Sequence, residues 1–170
     1  ALITFTLLWA ADGLNSYLAL VGGPHIYEPT NTLRLITGAL NGLTLSALVY
    51  PVFNVSMWRQ PSQEPNIRSW RDLGILLLTE TTLVGLILSQ RGFMLYPLAI
   101  LSAIAVVTLL SGVNSVLAVI LLGRENSATT WRQALVPVSL GLLLSLVQIG
   151  LIDLLRYALT GTLDGIPSLR

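Results

Sequence analysis

Along its hydrophobic and polar positions, the chain alternates long apolar runs with short polar breaks. The runs cover about Leu2 to Val21, Asn31 to Phe53, Asp72 to Ser89, Tyr96 to Leu122 and Gln133 to Tyr157. Each holds roughly 18 to 26 residues, enough at 1.5 Å per residue to cross a hydrocarbon core of about 30 Å. The predicted fold is therefore all-α, a polytopic integral membrane protein of five transmembrane helices with short loops. It forms one domain over residues 1–170, with helices 1 and 2 as a hairpin module over 2–53.

The breaks carry helix punctuation. Gly22-Gly23-Pro24 ends the first run, since glycine relaxes the backbone and proline cannot continue a helix. Asn31 is placed to cap the second run and Asp72 the third. Pro51 should kink or fray the end of the second run. In the fourth run Pro97 suits the first helical position and Gly123 the position just past the end; its length predicts tilt. Ser102, Ser111, Gly112 and Ser115 mark a face where another membrane helix could approach closely.

Five spans put the loops 54–71 and 124–132 on one side. The first of these is the longest polar connection, with Pro61 and Pro65. Leaving Arg34 aside, arginine counts five on this side (Arg59, Arg68, Arg71, Arg124, Arg132) against three on the other (Arg91, Arg156, Arg170). By the positive-inside rule the first side is cytoplasmic, which predicts His25, Arg91 and the C-terminus outside. Trp9, Trp58, Trp70 and Trp131 read as packing and interface anchors.

Composition narrows the chemistry. With 54% hydrophobic and 10% charged residues, and a mean hydropathy of +0.76, the chain is too apolar for a soluble domain of its 170 residues. Its net charge of +1 leaves no basic run for nucleic acid. Zero cysteines exclude disulfides, thiolate metal ligands and a cysteine nucleophile within these residues. His25 is the one histidine, so no bis-histidine haem or histidine metal set is expected. No phosphate loop or protease motif is present, and neither a catalytic residue nor a cofactor is expected. The chain opens at Ala1 inside an apolar run, which predicts a natural protein extending further upstream.

The polar groups at membrane depth are the candidate site. Asp12 and Glu80 each fall roughly 12 to 14 Å from opposite faces, near the midplane. A carboxylate there costs on the order of 3 kcal/mol, so each should be protonated, paired or facing water. Arg34 enters from the same face as Asp12, about 8 Å away in depth, within reach of an arginine side chain. The expectation is a structural ion pair between Asp12 and Arg34, with Glu80 neutral and hydrogen-bonded to a neighbouring helix. The alternative is a proton or cation path through Asp12, Arg34 and Glu80. Asn15 and Ser16 share the helical face of Asp12, and with Asn31 form a supporting polar face. Asn41, Asn114 and Gln148 read as interhelical hydrogen-bonding groups, and Asp153 with Arg156 as a local interface pair.

The stretch Ala11-Asp12-Gly13-Leu14-Asn15-Ser16-Tyr17-Leu18, followed by Ile26 to Arg34 and Gly38, resembles a family of predicted bacterial membrane proteins of unknown function. The resemblance covers Ala10 to Phe53, about a quarter of the chain. It implies that Asp12, Asn15, Glu28, Asn31 and Arg34 belong to one recurring module, in a bacterial inner (cytoplasmic) membrane. It also implies an upstream segment bearing cysteines and a histidine. The chain is small, lacks an extramembrane domain and offers no complete cofactor site. The expected function is thus that of an accessory, non-enzymatic subunit of a larger energy-transducing, electron-transport complex, partnered by other integral-membrane subunits and lipids. The rival expectation is a small transporter or proton-coupled permease using Asp12, Arg34 and Glu80.

Overall fold

A computed structural model describes residues 1–161. It is all-α, with α1 (Leu2–Leu20), α2 (Asn31–Met57), α3 (Trp70–Leu88), α4 (Gly92–Leu121) and α5 (Trp131–Thr160). The tail beyond Gly161, with the predicted position of the C-terminus, lies outside the described residues. Of these helices, α2, α4 and α5 are long and apolar enough to cross a membrane. Three spans meet that standard, where the hydropathy pattern predicts five. The two shorter helices have 19 residues each; α1 carries Asp12, Asn15 and Ser16, and α3 carries Arg71, Asp72 and Glu80.

Burial is inverted relative to a soluble bundle. The buried side chains include ten polar ones, from Asp12 to Ser145, against six hydrophobic ones, while leucines, isoleucines and valines along every helix are exposed. In water that pattern would forfeit the main driving force for folding; in hydrocarbon it is the expected one, because polar groups must pair inside and apolar ones meet lipid.

The chain divides into two compact units, one comprising Ala1–Pro51 and Gln63–Ser102, the other Val52–Ser62 and the chain from Ala103. In the first, α1 ends in a Schellman turn. Gly22 takes φ of 70°, its N–H bonds Ala19 O at 3.2 Å, and Gly23 N–H bonds Leu18 O at 2.8 Å. The cap of α2 is one residue earlier than expected: Thr30 Oγ1 accepts from Leu33 N at 3.2 Å, and Asn31 is the first helical residue. Likewise Ser69, not Asp72, caps α3, and Asp72 is the acid that completes the capping box by accepting from Ser69 N at 3.0 Å. Asp72 also accepts from Arg68 N at 3.0 Å, and Arg68 pairs with Glu64.

Pro51 lies inside α2, where it cannot donate to the carbonyl four residues back, Ala47 O. Asn66 Nδ2, from the loop after α2, donates to that carbonyl at 3.3 Å. The helix continues to Met57 instead of fraying near Phe53.

In the second unit Met57, Val119, Ala128 and Ala134 form a small hydrophobic core, flanked by Phe53, Trp58 and Val138. The loop before α5 is pinned to the end of α2 by Asn126 N to Ser56 O at 2.9 Å, Ala128 N to Met57 O at 3.2 Å and Arg59 N to Ala128 O at 3.0 Å. Trp58 and Trp131 meet edge to face, their rings 4.8 Å apart. Gly123 ends α4 at φ of 61°, as expected, but α4 begins at Gly92, so Pro97 sits within it. The fifth helix is longer than predicted at both ends, because Thr130 is its N-cap residue and Gln133 reaches back to Thr129 N at 2.7 Å.

Between α4 and α5, Asn114 Nδ2 donates to Ser145 Oγ at 2.8 Å and to Gln148 Oε1 at 3.2 Å, the interhelical role expected of both amides. At the next position Ser115 is buried against Gly141, one turn before Ser145. A Cβ at position 141 would lie 2.6 Å from Ser115 N and 2.8 Å from Ser111 O, so glycine permits this approach. Ser111 and Ser115 therefore do lie at a close helix contact, whereas Ser102 is exposed.

Candidate functional site

The polar groups of the first unit converge where α1 and α2 meet the turn between them. After the Schellman turn the chain doubles back along α1, and Asn15 holds it there. Asn15 Oδ1 accepts from Ile26 N at 2.7 Å and Tyr27 N at 3.4 Å, while its Nδ2 donates to Tyr27 O at 2.8 Å. A side-chain amide is suited to this, having a donor and an acceptor to match those of a peptide unit.

With the turn so placed, Tyr27 reaches Asp12. Its phenol donates to Oδ1 at 2.6 Å, and Thr37 Oγ1 lies 3.1 Å from Oδ2. Thr37 has one hydroxyl proton and also lies 3.0 Å from Leu33 O, so Oδ2 shares that proton with a backbone carbonyl. Asp12 is buried.

Arg34 behaves otherwise than predicted. Its Nε donates to Ser16 Oγ at 3.1 Å, its terminal nitrogens make no hydrogen bond among the described residues, and it forms no ion pair with Asp12. The side chain is exposed. Both residues nevertheless line one open cavity of about 380 Å³, with Trp9, Ser16, Tyr17 and Thr37 on its walls.

Glu80 is elsewhere. It lines a separate groove of about 320 Å³ between α2 and α3, among Ile36, Leu40, Leu77 and Val84. Its Oε2 is buried with no hydrogen-bond partner among the described residues, so the expected bond to a neighbouring helix is not formed. On α2, residues 34 and 37 face the first cavity, and 36, 39 and 40 face the groove. The predicted trio is therefore split: Asp12 and Arg34 are brought together, and Glu80 is not.

Asn15 holds the turn that carries Tyr27 to Asp12, and Ser16 lines the same cavity and accepts from Arg34, but neither bonds Asp12 itself. Asn31, expected with them, does not line the cavity; it is exposed at the start of α2. The residues missed in the sequence are Tyr27 and Thr37. Thr37 stands three positions after Arg34, which places it on the same helical face. Nothing in the periodicity marks Tyr27.

Within the turn, His25 Nδ1 lies 3.1 Å from Gly23 O and Nε2 lies 3.2 Å from Glu28 Oε1. The Gly23 carbonyl first, and Glu28 second, raise the imidazole pKa above its usual value. The Tyr27 phenol is raised as well, chiefly by its hydrogen bond to Asp12, whose negative charge opposes a phenolate. Among the described residues no three His, Asp or Glu side chains group as a metal site.

No protein-family model, curated protein or solved structure matches the chain.

Proposed function

We propose that this chain is an accessory integral-membrane subunit, in which all five helices span a bacterial inner membrane and the exposed apolar faces pack against subunits of a larger, energy-transducing complex. One observation carries the reading. The bonds that Asp12 accepts come from its own helical hairpin, while Glu80 lines a different groove, which supports an assembly role over a relay between the two acids. Their arrangement suits assembly: Asp12 fixes the hairpin, and the buried Oε2 of Glu80 is a group that a partner helix could satisfy. The loops 54–71 and 124–132 face the cytoplasm in this proposal, by their arginine excess.

Purification from native membranes in mild detergent, followed by intact-mass analysis, tests it. Stoichiometric recovery with other integral-membrane subunits is the expected result; a chain that migrates alone or only as its own oligomer sinks the proposal.

The open cavity at Asp12 and Arg34 favours a second reading, a small transporter. That reading requires flux by the purified chain alone in proteoliposomes, lost on replacing Arg34.

A further inference from the structure

The cavity between α1 and α2 has an unusual charge arrangement. It is lined by one carboxylate and one guanidinium that do not bond each other, and each keeps unused hydrogen-bonding capacity. Arg34 spends only Nε, on Ser16, which leaves its terminal nitrogens free. Asp12 Oδ2 has only a share in the Thr37 proton. The cavity, about 380 Å³ and open to the outside, has room for a small polar ligand.

The two charges together select the ligand. A simple anion drawn to Arg34 would meet Asp12 in the same cavity, and a simple cation drawn to Asp12 would meet Arg34. A dipolar molecule with both charges a few bonds apart meets neither repulsion. Trp9 and Tyr17 are among the lining residues, and an aromatic neighbour is favourable to an ammonium group.

We propose that this cavity binds a primary-ammonium zwitterion, with a phosphate oxyanion on the Arg34 guanidinium and the ammonium on Asp12. That chemistry occurs in the headgroup of an ethanolamine phospholipid and in free phosphoethanolamine. The site does not depend on the subunit reading; it operates whether the chain purifies alone or in a complex.

The test uses the full chain in nanodiscs made from equal parts phosphatidylethanolamine and phosphatidylglycerol. Native mass spectrometry reads which lipid stays bound after release. Thermal melting of the detergent-solubilised chain, with and without phosphoethanolamine, reads the free zwitterion. Retention of the ethanolamine lipid over the glycerol lipid assigns the site to a headgroup; a melting shift with phosphoethanolamine and no lipid preference assigns it to the soluble molecule. Arg34→Gln should lower the winning signal roughly tenfold, as loss of a charge-assisted contact does, while Arg34→Lys should retain part of it. Equal retention of both lipids with unmoved melting overturns the proposal, and so does an Arg34→Gln chain of wild-type helicity that binds as before. Should Arg34→Gln fail to fold, the wild-type comparison of the two headgroups and the free zwitterion still decides.

Discussion

Tyr27 and Asp12, 15 positions apart, are joined by a 2.6 Å hydrogen bond from phenol to carboxylate, which ties the turn to the middle of α1. Tyr27→Phe should therefore loosen the turn without unfolding the helices. Amide exchange at Ile26 should speed up by roughly tenfold, the scale of one lost hydrogen bond to a charged group. Unchanged exchange would remove the fastening role.

The same bond fixes a sign in alkaline solution. The folded Tyr27 pKa is raised above its usual 10.0, first by the Asp12 hydrogen bond. Its contribution to stability is thus complete below about pH 10 and is lost as pH climbs through the raised folded value. Ultraviolet titration should show a late tyrosine step that Tyr27→Phe removes and Asp12→Asn moves to lower pH.

His25 titrates in a more accessible range. Its folded pKa lies above 6.5, by the Gly23 carbonyl first and Glu28 next. The turn is consequently firmest below pH 6.5 and relaxes as pH rises through the folded value. Glu28→Gln should lower the imidazole pKa only part of the way, because the Gly23 contact survives; proton NMR of the ring measures it. A return all the way to 6.5 would contradict the leading role of the carbonyl.

Pro51 and Asn66 form a testable couple through Ala47 O. Asn66→Ala alone should cost about 1 kcal/mol, the net worth of one hydrogen bond, or less at this exposed position. In a Pro51→Ala background the helix supplies its own N–H and the cost should shrink toward zero. Additive effects in reversible unfolding would show that the loop amide is not compensating for proline.

At the contact of α4 and α5, Gly141→Ala must displace Ser115 and the Ser111 carbonyl. Overpacking of this kind costs about 1–3 kcal/mol, here through separation of the two helices. Gly150, where an added Cβ meets nothing, is the internal control. Equal melting of Gly141→Ala and Gly150→Ala would refute the close approach.

The hydropathy pattern located all five helices because each is a long, mostly apolar run, and Gly22 and Gly123 marked two ends because only glycine takes positive φ there without strain. The starts were less legible. In Ser69-Trp70-Arg71-Asp72 two residues suit a cap, and the capping box uses both, so composition alone does not say which is outermost. Distance from the turn could be counted along the sequence, and Asp12 and Arg34, on its two sides, do share a cavity. Azimuth could not: two acids within apolar helices can face different neighbours, as Asp12 and Glu80 do. The return of Tyr27 depends on the path of the ten residues between α1 and α2, and paths of turns are not periodic.

The polar clasp between α4 and α5 also has an order in time. Asn114 is synthesised 31 residues before Ser145 and 34 before Gln148, so α4 leaves the ribosome with its amide unanswered. A chain broken off before Ser145 would carry that amide into hydrocarbon with no internal partner, at a cost that an incoming helix normally relieves. The clasp thus closes only once α5 is in place, and until then α4 carries the cost of its unpaired amide.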